Sequence, residues 1–132
     1  MKRKCKILIS SKDGKRAIFL DEENSEEIRA YIDRDDRHRN KFRTISNIIL
    51  EGLRNSNLYD KEDINHKCKD VTAMKFFKGQ ENDRIYCKEV HSTSGTHIVV
   101  AAILYEKKKT TKLTQKQKNI IEKVGGYNYE IQ

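Results

Sequence analysis

DRIYCKEVHSTSGTHIVVAAILYEKKKTTKLTQKQKNIIEKV, residues 83–124, is the stretch on which the reading of this chain turns. It holds two strand-like runs, 83–90 and 97–105, joined by Ser92-Thr93-Ser94-Gly95, a turn short enough for antiparallel neighbours. The second run, HIVVAAILY, is almost continuously apolar, the pattern of a central strand covered on both faces. It feeds without a break into Lys107, Lys108, Lys109 and Lys112. A short amphipathic helix follows, with Thr114 and Gln117 as its capping signal, Ile120, Ile121 and Val124 on one face, and Gly125 as its stop. A rigid apolar strand that ends in dense positive charge suits the holding of polyanions.

Upstream, KILIS and KRAIFL flank Ser11-Lys12-Asp13-Gly14. Asp-Gly between apolar runs is a hairpin signal, because both residues tolerate positive φ, and it predicts strands over about 5–10 and 15–20. Asn24 with Glu27 has the form of a capping-box variant, and Ile28, Tyr31 and Ile32 then share a helical face. The run 33–40 contains no apolar residue, after which Phe42, Ile45, Ile48, Ile49 and Leu53 resume the helical spacing. Two helices over about 25–35 and 38–54, joined by a solvated turn, fit this pattern. Residues 55–70 are polar and irregular, 71–77 reads as a strand, and the tail YNYEIQ carries no clear signal. The summed order is ββ–αα–βββ–α, which places the chain in the α+β class, with a helical pair on one face of an antiparallel sheet.

Length and composition bound the function. The chain has 132 residues, no proline and no internal repeat, so one domain over 1–132 is expected. Its mean hydropathy of -0.89 is low, yet the apolar residues lie in periodic segments, which disordered chains lack. No apolar run reaches the roughly 20 residues of a membrane-spanning helix, and MKRKCKILIS lacks a small-residue cleavage site, so the expectation is cytoplasmic with no membrane partner. Cys5, Cys68 and Cys87 form an odd set without paired spacing, which reads as three reduced thiols, with no metal site and no cofactor. The formal net charge of +8 points to a polyanionic partner: nucleic acid, the ribosome or an acidic protein.

Asp83-Arg84-Ile85-Tyr86, the apolar strand after it and Leu104-Tyr105-Glu106-Lys107-Lys108-Lys109-Thr110-Thr111-Lys112 together resemble the RelE/ParE toxin superfamily, most closely its HigB-like members. The resemblance covers about residues 25–124 in element order and about 70–124 in residue pattern. It implies an α+β fold in which two N-terminal helices pack on a curved antiparallel sheet, with a short C-terminal helix. It also implies the toxin component of a type II toxin–antitoxin system, a ribosome-dependent mRNA endonuclease whose partners are a cognate antitoxin, the ribosome and mRNA. The chain departs from the family in its longer N-terminal hairpin, its longer 55–70 loop and its tail.

In the implied reaction a ribose 2′-hydroxyl attacks its own 3′-phosphate and expels the next 5′-oxygen, with no metal. That chemistry needs a base, cations for charge growing on phosphorus, and a proton for the leaving oxygen. Arg84 is the first candidate, because a guanidinium on a strand is rigidly placed and binds phosphate through two hydrogen bonds; its alternative is a structural ion pair. Lys75 on the adjacent strand is the second, with Lys78 competing for the role and a solvated outer face as the alternative. Lys107 and Lys109 are candidates for acid or base, since crowded cations depress one another's pKa. Lys108, Lys112, Lys116, Lys118 and Tyr105 are candidates for holding RNA, the tyrosine by stacking. His91 and His97 flank the Ser92–Gly95 turn, at the far end of their strands from the lysines, and read as surface histidines. The competing function is a toxin-fold protein that binds gyrase or nucleic acid without cutting.

Overall fold

The computed structural model describes residues 2–62, 64–77, 82–106 and 114–131. Its elements are β1 (Arg3–Ser10), β2 (Arg16–Asp21), α1 (Ser25–Ile32), α2 (Asp36–Glu51), β3 (Tyr59–Lys61), β4 (Val71–Phe76), β5 (Asp83–His91), β6 (His97–Tyr105), α3 (Gln115–Gly125) and β7 (Tyr129–Glu130). The strands form one curled sheet in the order β3-β4-β5-β6-β2-β1-β7.

This corrects the expected fold. The chain opens with strands rather than with two helices, the helices are interleaved with strands, and the sheet is mixed rather than antiparallel. β2 runs parallel to β6, with Arg16 opposite His97 and Leu20 opposite Ala101, and β1 runs parallel to β7. The physical reason lies in β2 itself. Ala17, Ile18 and Leu20 are all buried, so this strand needs neighbours on both edges and covers on both faces. β1 supplies one edge through the Asp13-Gly14 hairpin, where Gly14 sits at φ 71. The other edge is β6, reached through the long α1–α2–β3–β4–β5 connection that a parallel neighbour requires. β3 and β7 are short polar strands of three and two residues, formed in stretches the pattern left irregular or unassigned.

Helix boundaries also moved. Asn24 makes no side-chain capping bond; its Nδ2 donates instead to Ala102 O at 2.8 Å. Asp21 caps that turn, accepting from Glu23 N and Asn24 N. Asp35 caps α2 by accepting from His38 N, so most of the charged run 33–40 is helical. α2 ends at Gly52, whose φ of 68 is the left-handed conformation that glycine adopts freely.

The two faces of the sheet are covered differently. Against α1 and α2 pack Ile18, Leu20, Met74, Phe76, Ile85, Cys87, Val99 and Ala101 with Ile28, Tyr31, Ile45 and Ile49. Against α3, on the other face, pack Val71, Ala73, Tyr86 and Ala102 with Ile121 and Val124. Ile98, Val100 and Tyr129 continue that second face under the C-terminal segment. β6 is therefore central and covered on both sides, as its unbroken apolar run predicts. The three cysteines are free thiols. Among the described residues, no helix is long and apolar enough to cross a membrane.

Candidate functional site

The antiparallel pairing of β4, β5 and β6 puts Lys75 opposite Arg84 and Arg84 opposite Tyr105. Residues directly opposite in antiparallel strands project to one face, so these three form a row across the sheet on its α3 side. Tyr86, two positions from Arg84, lies on the same face and is fully buried; its phenol oxygen accepts from Gln117 Nε2 at 3.0 Å. Burial pushes the Tyr86 phenol up to about 12, and it acts as packing rather than as a proton donor. The Gln117–Tyr86 bond pins α3 over β5. It sets Lys116 with its Nζ 5.9 Å from the centroid of the Tyr105 ring, while Lys118 is exposed.

Arg84 is only 6% exposed. Its Nη1 donates to Asn82 O at 3.1 Å and to Asp83 O at 3.2 Å, which anchors the guanidinium at the start of β5. Burial pulls its pKa below the ordinary arginine value, against the opposing pull of Tyr86, Glu62 and Asp83, and the group stays cationic throughout the physiological range. No salt bridge engages it among the described residues, so the structural ion pair weighed for this arginine is not what holds it. Lys75 is half-buried and turned toward the β3 edge, where its Nζ donates to Ser56 O at 3.0 Å and lies 4.0 Å from Asp60. The register thus sets two cations and a phenol in one row, with Arg84 buried within it and Lys75 turned out to its β3 edge.

Lys107, Lys108, Lys109 and Lys112, and the competing Lys78, lie outside the described residues. Covalent order alone joins the cluster to the row: Lys107 is two residues beyond Tyr105 in the chain. Among the described residues, no group of three or more His, Cys, Asp or Glu side chains is arranged to hold a metal ion.

Set beside protein-family models, curated proteins and solved structures, the chain matches none. Function must therefore be argued from its own residues.

Sequence reasoning missed a second polar assembly, on the α2 face at the opposite end of β5. The Nε2 of His91 and the Nδ1 of His97 are 3.0 Å apart, and His97 Nε2 lies 3.7 Å from Glu89 Oε2. Tyr59 donates its hydroxyl to the same Glu89 oxygen at 2.7 Å and receives one from Thr72 at 2.8 Å. Arg16 stands beside His97 in the β2–β6 register. One signal was legible: a tight hairpin sets the residues flanking its turn opposite each other, and His91 and His97 are such a pair. Arg16, Tyr59 and Glu89 gave none, because only the sheet order brings their strands to one place.

Proposed function

We propose that this chain is the toxin of a type II toxin–antitoxin pair, acting in the cytoplasm as a ribosome-dependent mRNA endonuclease. The observation that supports the reading most is the row Lys75–Arg84–Tyr105, which stands directly before the lysine cluster in the chain. Arg84, held in place by backbone carbonyls, binds the scissile phosphate and meets the charge that grows on it. Tyr105 stacks on a base, Lys75 and Lys116 extend the cationic track, and the lysines of 107–112 supply the remaining phosphate contacts and the proton transfers. An acidic antitoxin would neutralise the chain by covering this basic track.

The test is induced expression in a bacterial host, with mapping of mRNA ends. Growth arrest with cleavage inside translated codons is expected for the parent chain, and loss of both for Arg84→Gln and for Lys107→Ala with Lys109→Ala. Variants that remain as toxic as the parent, while folded by circular dichroism, would refute the site. The anchoring of Arg84 by two carbonyls also favours a second reading, in which a firmly held cation binds its target without cutting it. Growth arrest with intact mRNA would select that reading.

A further inference from the structure

The second polar assembly borders a cleft of about 1030 Å³ between the β1–β2 turn, the end of α2 and the β5–β6 turn, into which Arg16, His91 and His97 all face. Two polar groups there have no hydrogen-bond partner among the described residues. One is the Arg16 guanidinium, which lies flat against Gly52, so close that a Cβ at that position would stand 2.8 Å from Nη2. At the end of α2, Ile48 O and Ile49 O accept from Leu53 N and Gly52 N rather than from this guanidinium. The other is the outward ring nitrogen of His91, Nδ1.

The histidine pair works as a switch for that nitrogen. Only one proton fits between His97 Nδ1 and His91 Nε2, and the Glu89 carboxylate, 3.7 Å from His97 Nε2, favours a proton on that nitrogen. With that proton on His97 Nε2, a neutral pair leaves His91 Nδ1 bare, its lone pair presented to the cleft. A proton there turns it into a donor. The charged groups lining the cleft are Lys12, Lys15 and Arg16 against Asp13 and Glu51; Glu89, Arg54, Asp60 and Lys61 stand behind His97, and Lys2, Asp70 and Lys88 lie on the other side of His91. A histidine proton adds positive charge to that lining. Burial lowers the His97 pKa, with His91 and Arg16 adding to the effect and Glu89 opposing it.

We propose that this cleft is a proton-gated oxyanion site that takes the phosphate of a small phosphate ester, with Arg16 and His91 donating to its oxygens. The inference does not rest on the nuclease reading. Arg84 and Glu89 are five residues apart on an unbroken β4–β5 ladder and so point to opposite faces of the sheet.

Sulfate is the first probe, because it stays a dianion across the histidine range and any pH dependence then belongs to the protein. Titration followed by NMR of the histidine rings and backbone amides should give saturable shifts at His91, His97 and Gly52. Affinity should be about tenfold stronger at about pH 5.5 than at about pH 7.5. Arg16→Gln should weaken binding about tenfold, and Arg29→Gln, which removes an equal charge from exposed α1, should not. His97→Gln should flatten the pH dependence, and this arm stands alone if Arg16→Gln does not fold. A 5′-mononucleotide should shift the same signals. No saturable shift, equal weakening by Arg16→Gln and Arg29→Gln, or a pH-independent affinity would each overturn the proposal. So would a short single-stranded RNA that shifts these signals in preference to the mononucleotide.

Discussion

Asp21→Asn probes a carboxylate that ties β1 and β2 to β7. Asp21 is fully buried at the end of β2. Its two oxygens receive Arg3 Nε at 2.8 Å and Arg3 Nη2 at 3.0 Å, the Tyr129 hydroxyl at 2.7 Å, and the amides of Glu23 and Asn24. One side chain thus joins β1, β2, the turn into α1, and β7. Asparagine keeps the shape but removes the charge and turns one acceptor into a donor facing Arg3 or Tyr129. Breaking a buried ion pair costs about 3–5 kcal/mol, and hydrogen bonds to charged groups are worth about 1.5–3 kcal/mol each. Because the Arg3 side chain is 22% exposed and can recover some water, the lower end applies, about 3 kcal/mol. With a urea dependence of about 2 kcal/mol per molar, the unfolding midpoint should fall by about 1.5 M. Equilibrium urea denaturation followed by circular dichroism measures this directly. A fall of less than about 0.5 M would mean that the network is not a cooperative tie, and the reasoning from its geometry would be refuted.

Three other outcomes follow from local geometry. Gly125→Ala should destabilise the chain by about 1–3 kcal/mol despite alanine's better helix propensity, because the new Cβ would stand 2.5 Å from Lys67 O; unchanged thermal unfolding would contradict that close approach. Cys5 should react with a thiol reagent at about pH 8 far more slowly than a free cysteine, since burial and the nearby Asp21 and Glu22 carboxylates push it up to about 11, and Cys68 and Cys87 should react only on unfolding; rapid labelling of the native chain would refute this. His97 has its pKa lowered in the folded state, so its contribution to stability is present above the unfolded value of about 6.5 and is lost as pH falls through it; His97→Gln should remove that slope from urea midpoints measured across the window, and an unchanged slope would assign it to another group.

Much of the framework could be read from residue pattern. The Asp13-Gly14 hairpin, the two helices before the strand run, the central β6 and the Thr114–Gln117 cap are all local signals, carried by turn chemistry and by period-two or period-3.6 spacing. Gln117 closes that capping box and also reaches the Tyr86 hydroxyl, and only the first role was visible. The candidate site was half legible. Arg84 and Tyr105 stand out as residue types on strands, and antiparallel pairing of β5 and β6 was the condition for Arg84 to face the far end of the next strand; the register meets it.

What the sequence by itself determined is therefore the set of segments, their kinds and the charge that the chain carries at its C-terminal end. These depend on neighbours within a few residues, through backbone preference, capping and periodic burial. Tertiary structure alone decided that β2 enters the sheet beside β6 and parallel to it, that β3 and β7 exist, and that α3 covers the face opposite α1 and α2. Those outcomes depend on which edges remain unpaired and which apolar faces remain uncovered once the chain has folded back, and no local pattern records that. The same long-range pairing gathers Arg16, Tyr59, Glu89, His91 and His97 from four strands into one polar assembly. Residues so far apart in the chain acquire a shared chemistry only when the sheet order is set.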